Sequence, residues 1–399
     1  MKKKVLLVGS SFSAAPLLFT LKKYGFNVAT CGNIPSDPCH QLADAVFLMD
    51  YSNKNDLLEL VRAEKFDYIV PSCNDYAYMS CAWVAENLHY PGFDSFEKTR
   101  ILHTKDAFRE FAQREGFPVP AFLKIAQGES IASHGLLFPL LVKPVDSFSG
   151  RGVTKINASQ ELPTAIDAAI RSSRSNQAVV EEFVDGTLHS HSAFIQNGAI
   201  VFDVFVDEYC TVYPYQVNCS NHPSFLSERT KKKVQRCMSA LIDALNLSNG
   251  LLHTQFIANG DNFWIIECMR RCPGDLYGRL IELSTHISYT DYYTRPFIGK
   301  ELSHNVVNKR FLSYGRHTIS TDRVTTSYSF SHNLSCDNVD VVPLKNSGEI
   351  LNAAPFDKLA ILFAKYTSKR QMLAITPKLA NHVSIRSLED IYFDNQNSQ

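Results

Sequence analysis

The sequence predicts an α/β domain followed by a region of α+β character, and two observations lead to this fold class. The first hundred residues alternate short apolar runs with helical patterns, a rhythm typical of βαβ units and of a doubly wound parallel sheet. From residue 104 onward the apolar runs alternate like half-buried strands, with two long helical stretches among them. This change of rhythm predicts a domain boundary near 95–104.

The amino-terminal βαβ domain begins with the apolar run KVLLVG, after which a helical pattern extends to Gly25. The runs FNVATCG, ADAVFLMD and FDYIVPS continue the alternation. Ligands of open parallel sheets bind at the carboxyl ends of the strands, so we expect a ligand edge at 9–11 and 72–75. There we predict that Asn74 and Asp75 contact a substrate, with Asp75 binding an amino group. The alternative for the segment CNDY is a turn that caps a helix.

The second region is predicted from strand alternation and turn signals. A hairpin with an Asn-Gly-Asp turn is expected within 250–271, and the chain after residue 300 is strand-rich. Strands are predicted at 138–143, 153–157, 178–184, 189–196 and 199–206, and helices near 160–174 and 225–246.

The segment KPVDSFSGRGV at 143–153 places a lysine directly before a loop rich in serine and glycine. Glycines allow successive backbone N–H groups to point at one anion, and serine hydroxyls add donors. No Gly-Lys-Ser/Thr follows, so this is not a Walker A loop. We interpret it as a flap that closes over the phosphates of a nucleotide gripped by Lys143. An ordinary hairpin connection is the alternative.

Two acidic segments support a nucleotide site. In the run VVEEFVDG at 179–186, an apolar strand ends with two glutamates. A carboxylate there, together with backbone groups, can form hydrogen bonds with adenine. The alternative is a solvated strand edge. The run FWIIECMRR at 263–271 ends an apolar stretch on Glu267. A buried carboxylate needs a partner, and Mg²⁺ is a natural one in a phosphate site. Arg271 is suited to an anionic intermediate, unless it forms a surface pair with the glutamate.

Composition excludes several classes of partner. Forty basic and forty acidic side chains cancel, which argues against a dominant nucleic-acid or membrane-surface partner. The basic and apolar start is interrupted by GSSFS after a few residues, and no apolar stretch of 18 residues occurs. The ten cysteines form no C-x-x-C pair. Reduced thiols in a cytoplasmic protein are therefore expected.

The order of these motifs resembles the ATP-grasp superfamily, and within it the carboxylate–amine ligases that act on amino acids or peptides. The motifs are Lys105 at a helix start, LLVKP, the serine–glycine flap, EEFVDG and IIECMRR. The resemblance extends over about residues 1–300. It implies a βαβ domain at 1–102, an ATP-grasp domain at 103–300 with subdomains at about 115–185 and 186–300, and a strand-rich region at 301–399 that completes or extends it.

The resemblance also implies site residues by motif position. Lys105 and Lys143 would contact the phosphates of ATP, and Arg271 together with Lys143 would act on the transferring group. Gln255 and Glu267 would hold Mg²⁺ or Mn²⁺. The flap and the adenine slot would be formed by Ser147, Ser149, Gly150, Arg151, Gly152, Glu181, Glu182, Val184 and Ile257.

The activity implied is ATP-dependent formation of an acyl phosphate, which an amine then converts to an amide. The substrates would be small molecules, and a homodimer is compatible with the resemblance. Three positions depart from the family pattern. Leu188 replaces a ribose-binding glutamate, for which His189 would substitute unless strand alternation points it to the other face of the sheet. Gln255 replaces an acid, and Met269 replaces an asparagine. A carboxyphosphate-type reaction on bicarbonate and a nucleotide-binding protein without turnover are the alternatives.

Overall fold

The computed structural model of the protein describes residues 2–129, 135–147, 150–302, 311–327 and 329–393. In these ranges no helix combines the length and the apolar character that crossing a bilayer requires.

The amino-terminal domain contains a parallel sheet with the strand order β3-β2-β1-β4. Leu6 on the central strand faces Ala29 on one side and Ile69 on the other, and all three are buried. The predicted parallel sheet is confirmed. Its elements are β1 (Lys4–Val8), α1 (Ala15–Lys23), β2 (Asn27–Gly32), α2 (Pro38–Leu42), β3 (Ala45–Leu48), α3 (Lys54–Glu64), β4 (Tyr68–Pro71) and α4 (Asp75–Leu88).

Two helices, α5 (Phe96–His103) and α6 (Lys105–Arg114), lead from this domain to a small antiparallel sheet with the order β5-β8-β6-β7. One face of that sheet packs on α7 through Leu140, Val142, Ile166 and Val180. Burying each such side chain stabilises the fold by about 1.5–3 kcal/mol. The elements are β5 (Phe122–Ala126), β6 (Leu140–Pro144), β7 (Thr154–Ile156), α7 (Leu162–Ser172) and β8 (Gln177–Glu182).

A large antiparallel sheet follows, with the order β13-β12-β9-β10-β11-β14-β19-β17. Its first part is formed by β9 (Thr187–Gln196), β10 (Ala199–Tyr209), β11 (Cys219–His222), β12 (Gly250–Asn259) and β13 (Asn262–Met269). The helices connected to it are α8 (Glu228–Leu245), α9 (Tyr277–Thr285) and α10 (Tyr289–Thr294). The predicted hairpin at 250–271 is confirmed as β12 and β13.

The carboxyl-terminal part of the chain continues the same sheet, because β14 pairs with β11 and β19 pairs with β14 and β17. Short 3₁₀ turns occur at Phe12–Ala14, Ser159–Glu161, Pro296–Ile298 and Thr376–His382. The remaining elements are β14 (Ser313–Ile319), β15 (Thr325–Ser327), β16 (Ser329–His332), β17 (Asn338–Pro343), β18 (Glu349–Leu351), β19 (Ala360–Tyr366), α11 (Lys369–Ile375), β20 (Val383–Arg386) and α12 (Leu388–Phe393).

One face of the large sheet packs against α9 and α10 and borders the functional cleft, and the opposite face is covered by the helix α8. Its start is fixed by Ser227, whose hydroxyl accepts a hydrogen bond from the Thr230 backbone N–H at 3.0 Å. Apolar residues then recur at helical spacing and pack on Phe205 and Phe256 of the sheet. These helix residues are Val234, Met238, Leu241, Ile242 and Leu245.

Candidate active-site cleft

A cleft of about 1270 Å³ lies between the amino-terminal sheet, the small sheet and the open face of the large sheet. The carboxyl ends of the parallel strands reach it at 9–11 and 72–75, as predicted from the βαβ rhythm. Predicted site residues in its lining are Asn74, Asp75, Lys105, Lys143, Ser147, Gly150, Glu181, Val184, Gln255, Ile257, Glu267 and Arg271.

The flap follows β6, in which Lys143 is the second-last residue. The Lys105 ammonium group donates to the carbonyl oxygen of Ser147 and so connects α6 to the flap. Gly150 has a φ of +71°, and a Cβ there would lie 2.8 Å from the carbonyl oxygen of Pro214. Glycine is therefore needed for this close backbone approach. The other predicted flap residues differ, since Arg151 and Gly152 lie outside the cleft lining and Ser149 lies outside the described residues.

Glu181, Lys143 and Arg109 form a buried group that we call the Glu181 cluster. The Lys143 ammonium donates to one carboxylate oxygen of Glu181. The Arg109 guanidinium donates to the other oxygen through Nη2 at 3.2 Å and Nε at 3.3 Å. All three residues are at most 5% exposed. The carboxylate predicted to read adenine is thus occupied by two cations, one of which sequence analysis did not identify.

The charges in this cluster alter each other's protonation. Burial works to raise the pKa of Glu181, but Lys143 and Arg109 outweigh it and hold the pKa below its ordinary value. Burial lowers the pKa of Lys143, and the nearby positive charges of Arg109 and Lys105 lower it further. The negative charge of Glu181 raises this pKa but does not outweigh them. Two cations on one buried carboxylate leave an excess positive charge beside the flap.

The hinge between β8 and β9 provides an apolar slot. Val184, Leu188 and Ile257 line the cleft there, and a Cβ on Gly186 would lie 2.4 Å from the Ala258 carbonyl oxygen. The hinge and β12 can approach this closely because residue 186 has no side chain. Glu182 lies outside the lining, and its carboxylate accepts from the Leu137 backbone N–H at 2.9 Å.

His189 does not reach the cleft, contrary to its predicted role as a substitute for the ribose contact. Strand alternation turns it to the α8 face of the sheet. There its Nδ1 lies 2.9 Å from Asp207 and its Nε2 lies 2.7 Å from the Thr187 hydroxyl. Both ring nitrogens have partners in the core, so we remove His189 from the candidate nucleotide site.

The predicted metal ligands meet at a cross-strand pair. Gln255 on β12 faces Glu267 on β13, and the register shifts between Gln255 and Phe256. Without this β-bulge, the register set by the hairpin turn would place Glu267 opposite Thr254, on the other face of the sheet. The extra residue in β13 shifts the register, and Glu267 therefore faces the cleft. Met269, the departure from the family pattern, lies in the lining beside them.

Glu208 is a third oxygen donor at this point that sequence analysis did not identify. Its carboxylate accepts from the Gln255 amide nitrogen at 2.6 Å. Burial raises the pKa of Glu208 to about 7, and the charge of Glu267 contributes in the same direction. In the described part of the chain, His, Cys, Asp and Glu side chains form no metal-binding group of three or more. Two carboxylates and an amide oxygen nevertheless form a hard donor set that suits Mg²⁺.

Asp75, His103 and Arg271 form a second group, the Asp75 cluster. The Asp75 carboxylate lies 2.9 Å from Nδ1 of His103 and 2.9 Å from Nε of Arg271. Nε2 of His103 accepts from the Arg270 backbone N–H at 3.0 Å, so the ring proton is on Nδ1 and His103 is neutral. Although burial opposes it, Arg271 with His103 holds the pKa of Asp75 well below its usual value.

The predicted substrate contacts of the amino-terminal domain therefore need correction. The carboxylate of Asp75 is already paired with two side chains, so it is not a free binding group for an amine. Asn74 is the N-cap of α4, because its side-chain oxygen accepts from the backbone N–H groups of Tyr76 and Ala77 at 2.9 and 3.3 Å. The helix-capping interpretation of CNDY is the one that the structure supports.

Arg316 on β14 is a further cleft residue that no sequence motif indicated. Its Nη1 donates to the Asp275 carbonyl oxygen at 2.8 Å and its Nη2 donates to the Ser220 hydroxyl at 2.9 Å. Its Nε has no hydrogen-bond partner among the described residues, although the side chain is 3% exposed. A buried guanidinium with a donor to spare is suited to a carboxylate.

Comparisons with known proteins agree with this architecture. Residues 136–277 match a family described as "ATP-grasp domain". The chain is 26% identical over 304 residues, 74% of its length and 77% of the relative's, to a formate-dependent phosphoribosylglycinamide formyltransferase of Prochlorococcus marinus (strain NATL2A). It is 23% identical over 399 residues to the protein of that name from Synechococcus sp. (strain CC9311), covering 97% of this chain and 99% of that one.

Solved structures of low sequence identity share the fold. An L-amino acid ligase from Bacillus licheniformis superposes with a TM-score of 0.80 at 17% identity, over 97% of this chain and 99% of that one. A phosphoribosylglycinamide synthetase from Anaerococcus prevotii gives a TM-score of 0.75 at 17% identity, over 97% and 100% of the two chains.

Proposed function

Because the chain contains an ATP-grasp domain, we propose that it is an ATP-dependent ligase that joins a carboxylate to an amine and releases ADP and phosphate. The observation that carries this proposal is that Lys105, Lys143, Gln255 and Glu267, which lie on four different elements, line one cleft. The names of the relatives support it, since formate is a carboxylate and an L-amino acid ligase joins amino acids.

In this proposal the nucleotide lies between the flap and the hinge. Lys105 and Lys143 bind the phosphates, and Ser147 and Gly150 cover them with backbone and hydroxyl donors. Val184 and Ile257 line the adenine slot with Leu188, whose apolar side chain extends the same wall. Ser149, Arg151 and Gly152 stay predicted flap residues, and Glu182 stays a predicted hinge residue.

Glu267 and Gln255, with Glu208 beside them, would hold Mg²⁺ or Mn²⁺. The ion would supply charge neutralisation for the transferring phosphoryl group. The chain's own contribution is to keep these oxygen donors on one face of the sheet, which the β-bulge between β12 and β13 accomplishes.

The reaction proceeds in two balanced steps. An oxygen of the substrate carboxylate attacks the γ-phosphorus of ATP, the bond to the bridging oxygen breaks, and ADP leaves as the acyl phosphate forms. The amine nitrogen then attacks the acyl carbon, inorganic phosphate leaves, and the nitrogen gives up a proton. Arg271, held by Asp75, and Arg316 would orient the anionic groups, and the closed flap would keep water from the acyl phosphate.

The substrates are small-molecule carboxylates and amines. The free thiols of the ten cysteines support a cytoplasmic location. A homodimer is proposed from the resemblance, and light scattering at several protein concentrations tests it.

The proposal is tested by measuring ADP release from a panel of carboxylic acids and amines with Mg-ATP. ADP release that requires one acid and one amine, with a mass spectrum of the amide, supports a ligase. ADP release with bicarbonate alone supports the carboxyphosphate-type reaction. Binding of Mg-ATP without ADP release from any mixture supports a binding protein, an alternative that the apolar Leu188 and Met269 in the cleft lining favour.

A further inference from the structure

We propose that Arg109 is a positioning residue that allows Lys143 to leave Glu181 and bind the nucleotide phosphates. The inference rests on the proposed function, because it concerns how the free cleft is prepared for ATP. Arg109 is not part of any motif that indicated the site, and its guanidinium does not line the cleft.

Lys105 and Arg109 of α6 reach the flap and Glu181 from the same helix. Arg109 lies one helical turn after Lys105 on α6, so the two side chains leave the same side of the helix. Lys105 contacts the flap at Ser147, and Arg109 contacts Glu181 behind it. The two cations of the Glu181 cluster use different carboxylate oxygens, so either one can depart without breaking the contacts of the other.

The charge of Glu181 restrains Lys143 in the free cleft. In the free cleft the Lys143 ammonium is held by a buried carboxylate, and to bind a phosphate it must turn away from that partner. A buried carboxylate left without a cation is strongly unfavourable. Arg109 removes this obstacle, since Glu181 keeps a charged hydrogen-bond partner after Lys143 has turned. Without Arg109, Glu181 and Lys143 would form a one-to-one buried pair that competes with the nucleotide.

The charge of Arg109 also affects the pH dependence of ATP binding. The charged groups that face Lys143 are Glu181 on β8 and Lys105 and Arg109 on α6, and the positive charge of Arg109 lowers the pKa of Lys143. Removing Arg109 therefore raises that pKa. The pH above which ATP binding is lost through deprotonation of Lys143 should then move upward. If Arg109 only filled space, its removal would leave this alkaline limb of the pH profile of ATP binding unchanged.

The test is a double-mutant cycle with Arg109→Met and Glu181→Gln, read as the Kd of Mg-ATP by calorimetry and as the KM and kcat of ADP release. We expect Arg109→Met to raise the Kd and KM about tenfold in the wild-type background, with kcat changed less than threefold. In the Glu181→Gln background the same substitution should change the Kd less than twofold, because no carboxylate retains Lys143. Arg109→Lys should restore most of the affinity.

Arg270→Met is a matched control, because Arg270 is also buried and paired with an acid, Asp94, at 2.8 Å but lies outside the cleft lining. It should lower stability without raising the Kd. Equal effects of Arg109→Met in both backgrounds, or an unmoved alkaline limb, would overturn the inference. If Arg109→Met alone fails to fold, Arg109→Lys and the double variant still decide it. A wild-type protein that binds no Mg-ATP would instead overturn the proposed function.

Discussion

The Glu181 cluster and the Asp75 cluster each place one carboxylate between two basic side chains, yet their charges differ. In the Glu181 cluster both partners are cations and one positive charge is in excess. In the Asp75 cluster one partner is the neutral His103, so the carboxylate and Arg271 balance. This difference in charge determines which site residues are free to change partners: an excess cation can bind a phosphate, whereas a balanced group is already satisfied.

The two clusters also differ in what they connect. The Glu181 cluster lies within the small sheet and α6, next to the flap. The Asp75 cluster joins the amino-terminal domain to α5 and to the end of β13, through contacts between residues that are far apart in the sequence. The first is therefore expected to control ligand binding, and the second to control how the domains are held together.

The largest effect is expected from removing the exchangeable cation. Lys143→Ala leaves Glu181 paired with Arg109, so the fold should persist, while the phosphates lose a charged contact. We expect kcat/KM for ATP to fall at least 100-fold, about 2.7 kcal/mol of transition-state stabilisation. Steady-state ADP release measures this, with Lys22→Ala, at a surface pair with Asp44, as the control. Unchanged turnover would refute the role of the flap.

A similar loss is expected when the carboxylate of Glu267 is neutralised. Glu267→Gln keeps the shape but removes charge from the oxygen donors around Gln255. Mg-dependent ADP release should fall by about two orders of magnitude, because the ion and the transferring phosphoryl group lose a charged partner. A magnesium titration of initial rates provides the measurement. Normal kinetics at ordinary magnesium concentrations would contradict the proposed position of the metal.

The Asp75 cluster should respond in stability more than in ATP binding. Asp75→Asn removes the charge that Arg271 pairs with, and we expect unfolding to become easier by about 1–2 kcal/mol. The Kd of Mg-ATP should change less than threefold. Urea unfolding and calorimetry on the same preparation separate the two quantities. A large loss of ATP affinity with unchanged stability would show that the cluster belongs to the nucleotide site.

A further prediction concerns two buried histidines, His222 and His253, that are kept neutral in the folded chain. Burial lowers the pKa of His222 and of His253 to about 3, whereas the unfolded value is about 6.5. The unfolded chain therefore binds protons that the folded chain does not. Stability should fall as the pH drops below about 6.5, by up to about 1.4 kcal/mol per pH unit for each residue.

Urea unfolding at pH 7, 6 and 5 measures this slope. If the variant folds, His222→Gln should reduce this slope by the contribution of one proton, about 1.4 kcal/mol per pH unit. His89→Gln, at an exposed position, should leave the slope unchanged. A slope that is the same in all three proteins would contradict the prediction.

Much of the fold follows from local signals, whereas part of the site does not. The period of the apolar runs predicts both the parallel sheet and the β12–β13 hairpin, because alternation and turn residues act over a few positions. Strand parity also predicts that His189 and its neighbour Leu188 face opposite sides. The positions of Lys143 and Glu181 in the cleft could be predicted because each lies near the end of an apolar strand in a motif.

The remaining site residues depend on contacts that leave no local pattern. Arg109 lies on an amphipathic helix where an arginine resembles any solvated residue, and only the fold brings Glu181 to it. Arg316 is on a strand of a weakly patterned region. The β-bulge that turns Glu267 to the cleft is set by pairing with β12, and the turn sequence alone would have predicted the opposite face.

The order of the large sheet has a consequence for the biosynthesis of the chain. β11 has no partner on its outer edge until β14 arrives, and the two strands are separated by α8, β12, β13, α9 and α10. At a translation rate of about 5–20 residues per second, the ribosome needs on the order of ten seconds to deliver β14. During that interval a nascent chain exposes an open strand edge, the feature that most readily recruits other chains. The wall of the cleft that carries Arg316 is thus also the cover that protects the growing sheet.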